Sequence, residues 1–460
     1  MARLWIDIGA LFAVPRVETG PADMLRFTLE IGRALHVAAP DEVGFVRQTG
    51  GPQDWICLNW DDLQDLPGIT LHRTGALHVT GRQVASHSQK PMETLYQTDV
   101  KDAVRTQIQA LRAGLGIFEA VARYGLQKWQ DRRARHAVLA RTARARKASV
   151  LSGASLKELA RPGDLFLAPV PIWEREDYVQ TVRWLRDTLR VQFGVFVHDL
   201  LPIQRPEWFR RQTLNHYAPW HEAILPLADQ IFVNSAATAQ DVTGYLERIE
   251  RSPLRPIVTV PLGSGPDSVG SSLRQADRKV VPDGEYVLCV GTLEPRVNHE
   301  LLLRVWRRLL QSRGAGKLPK LVLVGQVGWL VTDVLQQLEN SDWLDGYVQL
   351  VSAPSDGLLT ELYRNCLFTI VPALSAGWSA PVMESLHHTR PCLAAKSLAN
   401  RVDDQGLVRY FDPLNLHDAL QAIEGVLDDR EGLKQWAGDV KARFSPISWH
   451  QSAETILRHI

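Results

Sequence analysis

Three stretches carry side chains whose types and placement could do chemistry. VFVHDLLPIQRPEWF (195–209) presents His198 and Asp199, YVLCVGTLEPRVNHELLL (286–303) presents Arg296, and ALSAGWSAPVMESL (373–386) presents Glu384. A neutral imidazole can donate to or accept from a sugar hydroxyl, or bond a backbone carbonyl instead. An arginine beside the free amides of a helix start can clamp a diphosphate; its plain alternative is a surface residue in a loop. Asn298 and Glu300 suit that helix start as cap and dipole partner. In the third stretch Ser375, Ala376 and Gly377 lead through Ser379 and Ala380 to Pro381, so backbone amides are exposed with little side-chain cover. Glu384, at the fourth position of a helix predicted over 381–388, can accept both hydroxyls of a ribose, or merely complement the helix dipole. Asp199 could equally cap the turn that follows it.

These residues need rigid elements behind them. Apolar runs of strand length alternate with helix-like periodicity along most of the chain. Strands are predicted at 4–8, 165–169, 193–197, 230–233 and 257–261, then at 286–290, 321–324, 348–351, 367–371 and 392–395. Helices are predicted at 24–35, 101–147, 178–190 and 236–246 in the first series, and at 299–310, 332–338, 357–365, 381–388, 416–428 and 430–443 in the second. Such alternation implies an α/β fold with parallel sheets covered on both faces. A Gly-, Ser- and Pro-rich stretch, 266–284, separates a first domain (1–265) from a second (285–445), and 446–460 is expected to return to the first. Ligands of open α/β sheets bind beyond the carboxyl ends of the strands. That rule selects 7–9, 198–199, 234–235, 291–298, 325–329 and 373–380.

Composition excludes other classes. With 460 residues, 22% charged, and a formal net charge of +1, the chain has two or three cores and no nucleic-acid footprint. The four cysteines are scattered without a CxxC pair, so neither zinc nor a disulfide framework is expected. The opening MARLWIDIGALF does not read as a secretory leader, and no run of about 18 apolar residues suggests a membrane span. A cytoplasmic protein is the expectation. No GxGxxG follows the first strand of either series, which disfavours a dinucleotide oxidoreductase.

Taken together, VHDLLPIQRPEWF, IFVNSAATAQDVTGYL with PLGS, VGTLEPRVNHELLL, LVLVGQVGWLVTDVL and DGLLTELYRNCLFTIVPALSAGWSAPVMESL, with GDLFLAPVPIW upstream, resemble glycosyltransferase family 4, in its bacterial polysaccharide subgroup. The resemblance implies a GT-B fold, two doubly wound Rossmann-like domains facing a cleft. It also implies retaining, metal-independent transfer of a sugar from a GDP-, UDP- or dTDP-sugar to a saccharide or lipid-linked acceptor, with no cofactor. By the same resemblance, Gly291, Thr292, Arg296, Gly325, Ala376, Gly377, Trp378, Ser379, Ala380 and Glu384 would hold the donor. Thr19, Gly20, His198 and Asp199 would face the acceptor, and His198, Arg296 and Glu384 would serve catalysis. Retention is attributed in this family to a departing phosphate that takes the acceptor's proton, so no protein nucleophile is required.

The departures are specific. The first acid of the family's Glu-x7-Glu pair falls on Ala376, and its phosphate-contacting basic pair falls on Thr292 and Val297. Of the N-terminal TGI-x-RV element only Thr19 and Gly20 survive. A binding or scaffold protein that has lost catalysis therefore stands as the alternative. The stretch 128–147, with eight Lys or Arg against one Asp, is either a solvated helix face or a contact with the anionic inner leaflet of the membrane.

Overall fold

The computed structural model describes residues 2–12, 22–60, 63, 153–173, 175–264, 280–314, 316–352 and 354–460. Two sheets organise them. The first holds β1 (Leu4–Asp7), β2 (Val43–Gln48), β3 (Trp55–Leu58), β4 (Leu165–Ala168), β5 (Gln192–Val197), β6 (Gln230–Val233) and β7 (Val258–Thr259), in the order β3-β2-β1-β4-β5-β6-β7. The second holds β8 (Tyr286–Val290), β9 (Lys320–Val324), β10 (Val348–Val351), β11 (Thr369–Val371), β12 (Cys392–Ala395) and β13 (Arg409–Phe411), in the order β10-β9-β8-β11-β12-β13. Every pairing is parallel except β2 with β3. Both sheets thus have the doubly wound order, with strand direction of winding reversing between β1 and β4 and between β8 and β11. Both belong to one compact unit.

Continuous apolar runs make these strands because both faces of each sheet are covered. In β8, Val287 and Cys289 join a core with Leu302, Trp306 and Trp436, whereas Tyr286 and Leu288 join a second core with Leu358, Leu362 and Tyr363. In the first half Trp5, Phe166, Phe193 and Val195 pack with Tyr178 and Trp220. Each fully buried aliphatic or aromatic side chain of this kind adds roughly 1.5–3 kcal/mol, which makes the strand ends rigid mounts.

The last helix, Trp449–Leu457, starts at a capping box formed by Ser448 and Gln451 and packs against the helix Ala22–Ala38 of the first half. Ser452 Oγ donates to the Pro261 carbonyl at 2.5 Å. Gly263 is glycine because a Cβ there would lie 2.6 Å from the Trp449 ring.

Several elements escape the sequence pattern. Strands β2 and β3 form a hairpin-like edge, and Gly44 within β2 accommodates the Trp5 ring, which a Cβ would meet at 2.4 Å. The helix Arg211–Ile224 carries an internal Pro219, and β13 spans only three residues. Val280, assigned by composition to the linker, is 4% exposed in the second half's core, and its carbonyl accepts from Gln349. The predicted helix 101–147, the basic stretch 128–147 and Thr19-Gly20 lie outside the described residues. No described helix is long and apolar enough to cross a membrane. All four cysteines are free thiols, and burial pushes each up to about 12.

Candidate active site

The carboxyl ends of both sheets face one cleft. Gly291, Thr292 and Arg296 enter it from the loop after β8, and Ala376 through Ala380 with Glu384 enter it from the loop and helix after β11. These are the two strands flanking the second switch point. From the first half come His198 and Asp199 after β5, Asn234 after β6, and Arg26 and Phe27 of the helix Ala22–Ala38. Gly325 does not line the cleft. It lies beneath Gly291, whose carbonyl a Cβ at 325 would approach to 2.0 Å, so its smallness sets the spacing of two strand-end loops.

Glu384 is held from two sides. The helix Ala380–His387 begins one residue earlier than its Pro381 predicts, which makes Pro381 the second helical residue and Glu384 the fifth, beyond the first turn. Complementing the helix dipole is therefore not its main role. Tyr363, from the helix Asp356–Asn365, donates its hydroxyl to Oε2 at 3.0 Å. Arg26 donates Nη1 to Oε1 at 2.7 Å from the opposite half. A carboxylate offers about four acceptor positions, so each oxygen can still receive a hydroxyl.

Arg296 forms an ion pair with Glu294 at 2.7 Å, and Glu294 is buried at 2% exposure. Its backbone carbonyl accepts from Leu374 N at 2.7 Å, tying the loop after β8 to the loop after β11. Asn298 does not cap the following helix with its side chain. It adopts the left-handed region at φ 62°, and its amide donates to the carbonyls of Pro372 and Pro413 at 3.2 and 3.1 Å. Asparagine tolerates that conformation, and here its side chain braces the ends of β11 and β13. Val297, where the family resemblance implies a base, is 7% exposed, and a Cβ at Gly291 would lie 3.4 Å from it.

His198 is partly buried against Phe27 and Phe196, each with ring centroids at 4.7 Å. Its Nε2 lies 2.9 Å from the Pro169 carbonyl. A carbonyl only accepts, so Nε2 carries the proton and Nδ1 keeps a lone pair. Burial pulls this imidazole down to about 4, so it is neutral at physiological pH. Asp199 Oδ1 accepts from Leu201 N at 3.0 Å, which is the turn-capping role. Burial raises the Asp199 carboxyl, and the neighbouring Arg296 guanidinium works against that rise.

The halves touch at the loop after β11. Ser235 Oγ donates to the Gly377 carbonyl at 3.0 Å, and Thr238 Oγ1, whose single proton goes to Asn234, lies 3.2 Å from the same carbonyl. Asn234 orders this contact by donating Nδ2 to the His198 carbonyl at 2.8 Å and accepting from Thr238 at 2.9 Å. Arg401 pairs with Asp241 at 2.6 Å, and Trp329 Nε1 donates to the Trp208 carbonyl at 2.8 Å. Ser264 Oγ is buried at the cleft wall and makes no hydrogen bond among the described residues. No described cluster of three or more His, Cys, Asp or Glu side chains is placed to hold a metal ion.

Local pattern misses Arg26, Tyr363, Thr238 and Trp449, all of which act over long sequence separations. Arg26 and Glu384 are 358 residues apart, and no spacing rule connects them. Trp449 alone carried a signal, since Ser448 and Gln451 mark a helix start beside it.

Known proteins match this arrangement. Residues 284–429 match the family described as glycosyl transferases group 1. The chain is 26% identical over 278 residues to the serotype-specific mannosyltransferase WbdA of Escherichia coli, covering 58% of this chain and 33% of WbdA. It is 27% identical over 240 residues to the O-antigen chain mannosyltransferase B of Escherichia coli, covering 50% of this chain and 60% of that one. The chain thus spans about a third of the WbdA length. A UDP-forming α,α-trehalose-phosphate synthase from Burkholderia xenovorans, solved with glucose-6-phosphate, superposes with a TM-score of 0.50 at 14% identity, over 66% of this chain and 74% of that one. Residues 284–429 are thus similar to the group 1 glycosyl transferases, and the two Rossmann-like sheets give the chain a GT-B fold.

Proposed function

We propose that the protein transfers a sugar, with mannose the first candidate, from a nucleoside-diphosphate donor to a growing saccharide in surface-polysaccharide synthesis. The observation that carries this reading is the convergence of Glu384, the amide-rich loop 376–380 and Arg296 at the β8/β11 switch point, opposite His198 and Asp199. Mannose is suggested by the names of the two Escherichia coli relatives.

In this reading Glu384 receives the ribose hydroxyls, with Tyr363 fixing its rotamer. Negative charge grows on the diphosphate as the glycosidic bond breaks. The amides at the start of the helix Ala380–His387 and the Arg296 guanidinium meet that charge without reorganising. Neutral His198 offers Nδ1 to a sugar hydroxyl. We take the transfer to be retaining, with the leaving phosphate as the group that accepts the acceptor's proton, and to proceed without a metal ion. The acceptor, a saccharide or lipid-linked oligosaccharide, would enter from the first half. The stretch 128–147 is our proposed contact with an anionic membrane at the cytoplasmic face.

One observation favours a second reading, a nucleotide-sugar-binding relative without turnover. Ala376, where relatives carry an acid, is 5% exposed and belongs to the apolar core. A thermal-shift screen with GDP, UDP and dTDP separates the possibilities. Stabilisation by one base, followed by slow hydrolysis of its sugar conjugate, supports the transferase. Stabilisation without hydrolysis or transfer supports the binding protein. No stabilisation by any of the three at millimolar concentration would sink both.

A further inference from the structure

We infer that Asp199, on the first half, supplies the carboxylate that receives hydroxyls of the transferred sugar, at a point where the second half offers only the methyl group of Ala376. The inference rests on the donor reading above. A donor with its ribose on Glu384 and its diphosphate on the loop amides directs its sugar along that loop, away from Glu384 and towards Ala376 and Gly377. On the second half nothing polar stands at 376, whose side chain is part of the apolar core. On the first half, Asp199 is pressed against the same loop: a Cβ built on Gly377 would lie 2.8 Å from the Asp199 Cβ.

Asp199 is also built to hold one position. Its Oδ1 accepts from Leu201 N at 3.0 Å, its carbonyl accepts from the Tyr217 hydroxyl at 2.7 Å, and the preceding carbonyl, of His198, accepts from Asn234 at 2.8 Å. One capping bond uses one of about four acceptor positions, so the carboxylate retains capacity for two sugar hydroxyls. Burial raises this carboxyl, and Arg296, which also lines the cleft, opposes that rise. The two sides of the site belong to different halves. Contact between Asp199 and the sugar therefore exists only in the closed cleft, so the same contact that reads the sugar also rewards closure.

The competing role is a plain turn cap. Asp199→Asn separates the two, because asparagine caps about as well as aspartate but lacks the charge. The experiment measures affinity by calorimetry for GDP and for GDP-mannose, or for the corresponding pair of whichever base binds in the screen. Wild type, Asp199→Asn, Ala376→Glu and the double variant are compared. We expect the diphosphate alone to bind wild type and Asp199→Asn equally. The extra affinity conferred by the sugar should fall about tenfold or more in Asp199→Asn, as loss of a hydrogen bond to a charged group requires, and return in the double variant. An unchanged sugar increment in Asp199→Asn overturns the inference, as does an equal loss of diphosphate binding. Should Ala376→Glu fail to fold, Asp199→Asn decides alone. Failure of every nucleotide to bind wild type refutes the donor reading itself, a different result from an unchanged increment.

Discussion

Gly377 is a point where the two halves meet backbone to backbone, and Gly377→Ala tests whether closure matters. Its φ lies outside the left-handed region, so alanine is conformationally allowed there. The obstacle is across the cleft. The new Cβ would sit 1.9 Å from the His198 carbonyl oxygen and 2.9 Å from its carbon. These are backbone atoms, anchored by Asn234, so no rotamer change relieves the clash. Raising 1.9 Å to the 3.0 Å floor of real Cβ contacts requires the surfaces to part by about 1.1 Å. That shift carries the Ser235 bond to the Gly377 carbonyl, now 3.0 Å, past the limit of a hydrogen bond. One neutral bond at about 1 kcal/mol weakens closure by about fivefold. The cores of each half are untouched, so the melting temperature should change little. Small-angle scattering should show a more open particle, diphosphate binding should persist, and sugar transfer should fall by at least the same factor of about five. Wild-type transfer by a folded Gly377→Ala protein would refute the reasoning that the closed cleft is the working state.

Two further expectations concern charge. Arg296→Ala removes the cation beside Glu294, which is buried at 2% exposure. It should lower the melting temperature as well as diphosphate affinity, and adding Glu294→Gln should recover the melting temperature but not the affinity, as differential scanning fluorimetry and calorimetry would show. The second expectation is acid sensitivity. Burial holds His198, His221, His299 and His388 at about 4, so between pH 6.5 and 4 the unfolded chain binds more protons and stability falls with pH, with no effect above 6.5. Asp7, raised to about 6 by burial, and Asp199, also raised by burial, act in the opposite sense, favouring the fold as pH drops, but they are two groups against four. His299 is 3% exposed, and its share is at most about 3 kcal/mol. His299→Leu should shrink the difference in melting temperature between pH 7.5 and pH 5, and an undiminished difference would count against this assignment.

Much of the architecture was legible from pattern. Parallel strands covered on both faces are near-continuous apolar runs, and 286–290, 321–324 and 392–395 read that way because nothing else fits such segments. The short edge strands β3 and β13 were not legible, since they owe their existence to neighbours and not to their own composition. Asn298 shows the limit of local rules: its type suits a cap, yet the partners that claim its amide, Pro372 and Pro413, are 74 and 115 residues away.

By itself the sequence determined the alternation of strands and helices, and with it the strand ends where His198, Arg296, Glu384 and the loop 376–380 emerge. Those features are local, set by periodicity, small residues and proline, and they persist whatever the distant chain does. Tertiary structure alone decided what each side chain faces. It set Arg26 on Glu384 and Asp199 against Gly377, because each of these contacts joins residues from opposite halves of the fold, and only the closing of one sheet's loops onto the other's brings them within reach.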